Sequence, residues 1–263
     1  MTTTRHPLLP SKIDQKAAVR LVCLPYAGGG TAAFHRWRPF LPTSVELVPI
    51  RLPGREDRFS ETAYPDLLTL AKHGADAVTE INNRPVALLG YSLGAYVALE
   101  IARELRRRLQ PPLVLVVTAA SAAPHLAKKG PPLGHLGDRE FINEIARRYE
   151  GIPPAVRADA RLLDLLLPTL RADVRMWENY RPADEAPLDV EILALGGAQD
   201  AGVPLSDLQA WREYTTGRFS SWLFPGGHFF LFRDHEQTPG AGAPNLAALG
   251  TIVSRLQSLQ EAP

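Results

Sequence analysis

Short apolar runs alternate with helical stretches along most of this chain of 263 residues. The runs are rich in valine, isoleucine and leucine and nearly continuous in hydrophobicity, which is typical of parallel strands covered on both faces. They are Val19–Leu24, Val45–Ile50, Val86–Leu89, Leu113–Thr118, Val190–Leu195 and Phe219–Phe224. The helical stretches are Tyr64–Asn82, Leu93–Leu109, Leu205–Thr215 and Asn245–Leu259. This alternation predicts an α/β fold with a mostly parallel central sheet flanked by helices.

The segment between Ala123 and Pro187 breaks the alternation, because it carries no strand pattern. After a loop rich in glycine and proline, Asp138 is a candidate N-cap for a helix over Glu140–Tyr149. The next stretch, Ala155–Arg171, has an apolar arc wider than a surface helix needs, formed by Leu162, Leu163, Leu165, Leu166, Leu167 and Leu170. Two interpretations stay open: a helix packed on the sheet, or a lid whose apolar face lines a pocket for an acyl chain.

Charge and hydrophobicity exclude several classes of protein. A formal net charge of +1 gives the chain no excess of positive charge that would attract nucleic acid or an anionic membrane. No apolar run has membrane-spanning length, and the first residues lack the apolar core of a signal peptide. We therefore expect a cytoplasmic protein, with a disordered tail at residues 1–16 and a single domain over residues 17–263. The one cysteine, Cys23, allows no intrachain disulfide, and its apolar surroundings predict a buried strand residue.

The pentapeptide Gly90-Tyr91-Ser92-Leu93-Gly94 lies between an apolar run and a helix-forming stretch. A serine on so tight a turn needs unfavourable backbone angles, and the flanking glycines let strand and helix approach without a Cβ between them. The serine hydroxyl then stands at the carboxyl edge of the sheet, where a nucleophile is useful. The pentapeptide alone is common, so the strand–turn–helix context carries the prediction that Ser92 is a nucleophile.

A serine nucleophile needs a base within hydrogen-bonding reach and an acid that orients the base. On sheets of this kind the partners follow in the chain order serine, acid, histidine, each in a loop after a later strand. Asp200 follows the run that ends at Leu195, and His228 follows the run that ends at Phe224. We therefore predict a catalytic triad of Ser92, Asp200 and His228.

The other histidines and acids fit this order less well. One histidine lies in the expected tail, and the rest lie in helical stretches, in the segment without strands or in a polar loop; they are His6, His35, His73, His125, His135 and His235. The weaker candidates for the acid are Asp184, Glu185, Asp189 and Asp207.

Acyl transfer also needs donors for an oxyanion, and the backbone N–H groups of Ala27 and Leu93 are the candidates. The glycines at 28–30 after the first run lack the Gly-Lys-Ser/Thr ending of a phosphate loop and the spacing of a dinucleotide fingerprint. No histidine or cysteine spacing typical of a metal site occurs, so we expect no metal.

Several segments together resemble the type II thioesterases, the free-standing editing enzymes of polyketide and non-ribosomal peptide synthesis, whose relatives are the medium-chain fatty acyl thioesterases. The resemblance covers roughly Arg20 to Phe232 and implies an α/β-hydrolase fold with a helical lid insertion at about residues 124–187. The matching segments are Leu24-Pro25-Tyr26-Ala27-Gly28-Gly29, Arg51-Leu52-Pro53-Gly54-Arg55-Glu56, Gly90-Tyr91-Ser92-Leu93-Gly94-Ala95, Tyr180-Arg181-Pro182 and Gly226-Gly227-His228-Phe229-Phe230-Leu231.

The resemblance implies a substrate class that the residues alone do not. It is an acyl group held as a thioester on the phosphopantetheine arm of an acyl or peptidyl carrier protein, and the reaction is hydrolysis that releases aberrant acyl groups. Ser92, His228 and Asp200 take the triad roles, and the N–H groups of Ala27 and Leu93 hold the oxyanion. The family implies no cofactor, and we expect a monomer.

Two positions depart from the family, since Tyr91 stands where histidine is common and Leu93 where methionine is common. The turn at Arg51–Glu56 has two interpretations: internal ion pairs that fix the loop, which we favour because Glu56 is a ready partner, or contact of Arg51 or Arg55 with the pantetheine phosphate. The rival functions are a medium-chain fatty acyl thioesterase, a general carboxylesterase, acyl transfer to an acceptor other than water, and a non-catalytic module that binds carrier proteins.

Overall fold

The computed structural model describes residues 2–110, 113–127, 130–149, 152, 154–232 and 244–260. The strands are β1 (Thr2–Thr3), β2 (Lys12–Ile13), β3 (Val19–Leu24), β4 (Val45–Pro49), β5 (Val86–Tyr91), β6 (Leu115–Ala119), β7 (Ile192–Gly197) and β8 (Phe219–Phe224). The α-helices are α1 (Ala32–His35), α2 (Leu67–Glu80), α3 (Leu93–Arg107), α4 (Asp138–Tyr149), α5 (Pro154–Ala158), α6 (Ala160–Asn179), α7 (Leu205–Gln209) and α8 (Leu246–Gln260).

The central sheet has the strand order β4-β3-β5-β6-β7-β8, and each neighbouring pair is parallel. All six apolar runs predicted as strands are strands; two keep their predicted boundaries, and the other four shift by one or two residues at one or both ends. The strand β5 continues two residues beyond Leu89, because Gly90 and Tyr91 pair in register with Thr118 and Ala119 of β6. The predicted α/β fold with a mostly parallel sheet is confirmed.

Helices cover both faces of the sheet, and each face has its own apolar core. On one face, α2 and α3 pack through buried residues such as Leu70 and Leu99. On the other, α1 and α8 contribute Phe34 and Ile252. Strands between two such layers bury both of their faces, which is why their sequences are continuously apolar instead of alternating. Cys23 lies fully buried in β3, as its sequence context predicts.

The amino-terminal segment corrects one expectation. Residues 2–16 do not form a disordered tail, because β1 and β2 pair antiparallel and the apolar residues between them are buried. Leu8 and Leu9 join the core beside α2, and the N–H of Arg51 donates to the carbonyl of Leu8 at 2.9 Å. Leu8 and Leu9 hold this polar segment against the domain. The free energy gained by burying the two leucines offsets the conformational entropy that a short segment loses when it becomes ordered.

The segment expected to lack strands is helical, and the described residues between β6 and β7 contain no strand. The predicted helix over Ala155–Arg171 is divided at Asp159, whose side chain accepts the N–H groups of Arg161 and Leu162 at 2.9 and 3.3 Å and so begins α6. The helix predicted over Glu140–Tyr149 begins two residues earlier, so Asp138 is the first residue of α4 and not the residue that precedes it. Helices α4 and α6 share a small apolar cluster that includes Phe141.

Two further observations complete the architecture. The helix predicted over Leu205–Thr215 ends at Gln209 and continues as a 3-10 helix, in which the buried Trp211 donates its indole N–H to the carbonyl of Ser121 at 2.8 Å. In the described part of the chain, no helix combines the length and the apolarity needed to cross a membrane.

Candidate active site

Ser92 stands on the sharp turn that joins β5 to α3. Its backbone φ is +54° and its ψ is −115°, a conformation that a non-glycine residue rarely adopts. The glycines on either side permit the turn, because a Cβ on Gly90 would lie 2.2 Å from the carbonyl oxygen of Gly94, and one on Gly94 would lie 2.3 Å from that of Leu24. The predicted strand–turn–helix context of Ser92 is therefore present.

The structure brings Ser92, His228 and Asp200 into one chain of hydrogen bonds. The Oγ of Ser92 lies 3.1 Å from Nε2 of His228, and Nδ1 of His228 lies 2.8 Å from Oδ2 of Asp200. The side chains of His228 and Asp200 are 8% and 4% exposed, so this bond is shielded from water. A carboxylate that accepts the Nδ1 proton leaves Nε2 free to take the proton of the serine hydroxyl.

The three side chains lie at the same edge of the sheet, because each follows the carboxyl end of a parallel strand. Asp200 follows β7, and its Oδ1 accepts the N–H of Gly202 at 2.9 Å. His228 follows β8 after two glycines, and a Cβ on Gly197 would lie 2.2 Å from the carbonyl oxygen of Gly227. The two loops therefore approach closely enough for Asp200 to meet His228.

The weaker candidates lie in other arrangements. Glu185 forms ion pairs with Arg106 and Arg107 on the surface. The ring of His125 contacts the hydroxyl of Tyr214 at 3.1 Å. His235 lies outside the described residues.

The residue before Ser92 contributes a contact that sequence reasoning missed. Tyr91 is fully buried, and its hydroxyl donates to the backbone carbonyl of His228. Burial raises the pKa of Tyr91 well above its usual value, so the phenol keeps the proton that it donates. A tyrosine at this position therefore ties the nucleophile's strand to the loop that carries His228.

The turn Tyr26–Gly29 places Ala27 at the wall of the site. The N–H of Gly29 donates to the carbonyl of Tyr26 at 2.9 Å, and Gly28 has a φ of +77°, as the third residue of a type II turn does. Leu93 is the first residue of α3, so its N–H has no carbonyl partner within the helix. Both residues line the same cavity as Ser92.

The cavity beside Ser92 has a volume of about 340 Å³. Ser92 and His228 form part of its wall, and helices α4 and α6 form its roof. The apolar arc of α6 faces this space, through Leu162, Leu166, Leu170, Val174 and Trp177. On α4, the ring of Tyr149 lies 5.4 Å from that of His228, measured between centroids. Part of the leucine arc thus lines a pocket, while other leucines pack against α4.

Internal contacts account for the turn at Arg51–Glu56, as the favoured interpretation predicts, although the partners differ. Arg51 pairs with Asp57, and Arg55 pairs with Asp173 of α6. Glu56 accepts from the N–H and hydroxyl of Thr31 and from the N–H of the next residue, at 2.9 to 3.1 Å. Sequence reasoning missed Asp173, because only the docking of α6 brings it to this turn.

One group of potential metal ligands lies away from this site. A ligand atom from each of His6, His73 and Asp76 lies within 4.8 Å of the others. The Nδ1 of His6 accepts the N–H of Leu8 at 3.2 Å, so the neutral ring carries its proton on Nε2. A metal ion on Nε2 would have to displace that proton.

Comparisons with known proteins point to one family. The family model described as "Thioesterase domain" matches residues 19–240. The gramicidin S biosynthesis protein GrsT of Aneurinibacillus migulanus is 37% identical over 222 residues, which cover 84% of this chain and 86% of GrsT.

Two solved structures share the fold over nearly the full length of both chains. The RedJ thioesterase from the prodiginine pathway of Streptomyces coelicolor has a TM-score of 0.79 and 38% identity, covering 89% of this chain and 90% of RedJ. The type II thioesterase YbtT from the yersiniabactin NRPS/PKS pathway has a TM-score of 0.79 and 26% identity, covering 94% and 96%. The family match and these similarities identify the chain as a member of the thioesterase family with an α/β-hydrolase fold.

Proposed function

We propose that this protein is an editing thioesterase, which hydrolyses aberrant acyl thioesters on the phosphopantetheine arm of carrier proteins in polyketide or non-ribosomal peptide synthesis. The observation that carries the proposal is the hydrogen-bonded chain Ser92–His228–Asp200 at the wall of an apolar cavity. Relatives named for antibiotic and NRPS/PKS pathways supply the substrate class. The medium-chain fatty acyl thioesterases are less similar in sequence and are the less favoured alternative.

In the first half of the reaction, Nε2 of His228 takes the proton of Ser92 as Oγ attacks the thioester carbonyl carbon. The negative charge that develops on the carbonyl oxygen is held by the N–H groups of Ala27 and Leu93, each donor being worth about 10²- to 10³-fold in rate. The C–S bond then breaks, and His228 returns the proton to the departing pantetheine sulfur. The acyl group remains as an ester on Ser92.

In the second half, His228 removes a proton from water, and the resulting hydroxide attacks the acyl-serine. Collapse of the second tetrahedral intermediate frees the carboxylic acid and returns the proton to Ser92. Throughout, Asp200 holds the imidazole in the required tautomer and stabilises its cationic form. These steps need no cofactor, and we propose that none is used.

The cavity binds the acyl chain during both halves of the reaction. Its wall is mostly apolar, and α6 lies across it with leucines that face inward. Apolar area buried there contributes about 25 cal/mol per Å² to binding. An acyl chain that fits the cavity is therefore bound with its carbonyl beside Ser92.

The test is hydrolysis of acyl-carrier-protein substrates of graded chain length by the wild type and by Ser92→Ala. We expect acid release by the wild type and a fall in kcat of at least about 10⁴-fold in the variant, with the fold intact by circular dichroism. Ser206→Ala is the matched control, since Ser206 is exposed on α7 and its hydroxyl donates to Asp207 at 3.0 Å, away from the site. Unchanged turnover in Ser92→Ala would remove Ser92 from the mechanism, and carrier-protein binding without turnover by the wild type would favour the non-catalytic module.

A further inference from the structure

The direction of the Ala27 N–H is set by the turn that contains it. In a trans peptide the C=O and the N–H point in opposite directions, so the carbonyl of Tyr26 and the N–H of Ala27 move together. That carbonyl accepts from Gly29, which points it into the turn and points the Ala27 N–H away from it. Anything that holds Gly28 and Gly29 therefore also holds the proposed oxyanion donor.

Two buried, charged side chains hold those glycines. Oδ2 of Asp173 accepts the N–H of Gly28 at 2.8 Å, and Nη1 of Arg55 donates to the carbonyl of Gly29 at 2.7 Å. The two side chains also bond each other twice, Nη1 to Oδ2 at 2.8 Å and Nη2 to Oδ1 at 2.9 Å. Asp173 is 3% exposed and Arg55 is 8% exposed, so water does not compete for these bonds.

The same ion pair attaches the roof of the cavity to the turn. Asp173 lies on α6, and one helical turn earlier Thr169 donates its hydroxyl to the carbonyl of Gly54 at 2.5 Å. Residues four apart share one face of a helix, so α6 is fixed to the loop after β4 at two successive points. Leu166 and Leu170 of the same helix face the cavity.

Stability alone does not account for this arrangement. A buried ion pair replaced by apolar residues of similar volume is often neutral or more stable, because the charges lose their hydration on burial. Bonds from both partners to the backbone of one turn give the pair a role that apolar residues cannot fill.

We propose that Asp173 and Arg55 are positioning residues, which orient the Ala27 N–H toward the oxyanion and fix α6 over the same turn. This inference rests on the proposed acyl transfer at Ser92. It predicts that loss of the ion pair slows the chemical step, while the acyl chain still binds in the cavity with nearly the same affinity.

The double variant Arg55→Met/Asp173→Leu tests the inference, because it removes both charges without leaving one buried alone. We expect the variant to fold with a lower melting temperature, because the N–H of Gly28 and the carbonyl of Gly29 lose their partners. We expect kcat to fall at least about tenfold and KM to change by less than about threefold, as for loss of a contact made in the transition state. Arg55→Lys is the second variant, since a lysine keeps the charge but lacks the planar fork that makes the four bonds of the guanidinium; its kcat should also fall. The matched control is Arg171→Met/Asp138→Asn, which removes a partly exposed ion pair that joins α6 to α4.

A second readout separates positioning from a general structural effect. A trifluoromethyl ketone forms a tetrahedral adduct with a serine, and the oxyanion of that adduct mimics the transition state, whereas the product acid forms no adduct and so depends less on the oxyanion donors. We expect the double variant to bind the ketone at least tenfold more weakly and the acid with nearly unchanged affinity. A kcat within twofold of the wild type in the folded double variant, or equal weakening of both ligands, would overturn the inference.

Each rate is measured with a thioester and with the matched oxygen ester, because both reactions pass through an oxyanion at the same place. A wild type that prefers the oxygen ester would contradict the proposed function. The ratio of variant to wild type on that ester would still decide whether Asp173 and Arg55 act as positioning residues.

Discussion

At the scale of single residues, the site depends on a hydrogen bond from an unexpected side chain. Tyr91 occupies a position where the chemistry requires only a strand residue, yet its hydroxyl bonds the backbone of His228. Its ring lies among aromatic side chains, including the partly buried Tyr26 and the buried Phe229, at centroid distances of 5.8 and 6.0 Å. A hydroxyl placed so deeply is held by packing, and it fixes the loop that carries the base.

Tyr91→Phe should therefore lower both the stability and kcat. Removing the hydroxyl leaves the carbonyl of His228 without its donor, which costs about 1–3 kcal/mol of the free energy of unfolding. We expect kcat to fall several-fold with KM nearly unchanged, measured beside a urea unfolding curve. Tyr180→Phe is the control, because its buried hydroxyl bonds Glu100 at 2.8 Å instead of the histidine loop. Equal kcat values in the two variants would contradict this role of Tyr91.

Cys23 gives a prediction about pH. Burial raises the pKa of the Cys23 thiol above its ordinary value, so the folded protein keeps it protonated where a free cysteine, with a pKa of about 8.5, is ionised. Since the thiolate is the reactive form, a disulfide reagent at pH 9 should titrate no thiol in the native protein and one thiol in denaturant. Rapid reaction of the native protein would show that β3 is not buried as described.

At the scale of elements, the apolar runs predicted the strands because strands buried on two faces cannot alternate in polarity. The helical insertion was harder to predict. Its division into α5 and α6 depends on a cap by Asp159, and the aspartate resembles any other polar residue within a helical pattern. The amino-terminal segment was predicted wrongly, since two leucines among polar residues do not reveal that a core lies beneath them.

The close approach of α3 to the end of β3 can be tested by adding one methyl group at Gly94. A Cβ on Gly94 would lie 2.3 Å from the carbonyl oxygen of Leu24, which is backbone and cannot move aside cheaply. Gly94→Ala should lower the free energy of unfolding by about 3 kcal/mol or more. Gly250→Ala is the control: no atom lies within 4 Å of its added Cβ, and it should gain roughly 0.5–1 kcal/mol as a helical residue. Similar stabilities for the two variants would contradict the close approach at Gly94.

At the scale of the whole molecule, the site joins residues that are far apart in sequence at one edge of the sheet. Sequence order predicted which loops carry Ser92, Asp200 and His228, because parallel strands all present their carboxyl ends at that edge. Asp173 could not be predicted in this way, since it is 145 residues from Gly28 and reaches it only through the docking of α6. The monomeric state and the cytoplasmic location stay predictions.

If the protein hydrolyses thioesters of carrier proteins, it should distinguish two matched substrates that differ only in the bond to be broken. The measurement is kcat/KM for one acyl group presented as a thioester on a carrier protein's phosphopantetheine arm, and as the matched oxygen ester. We expect a clear preference for the thioester, with the activity lost in Ser92→Ala. A clear preference for the oxygen ester, or acid release that survives the loss of Ser92, would contradict it.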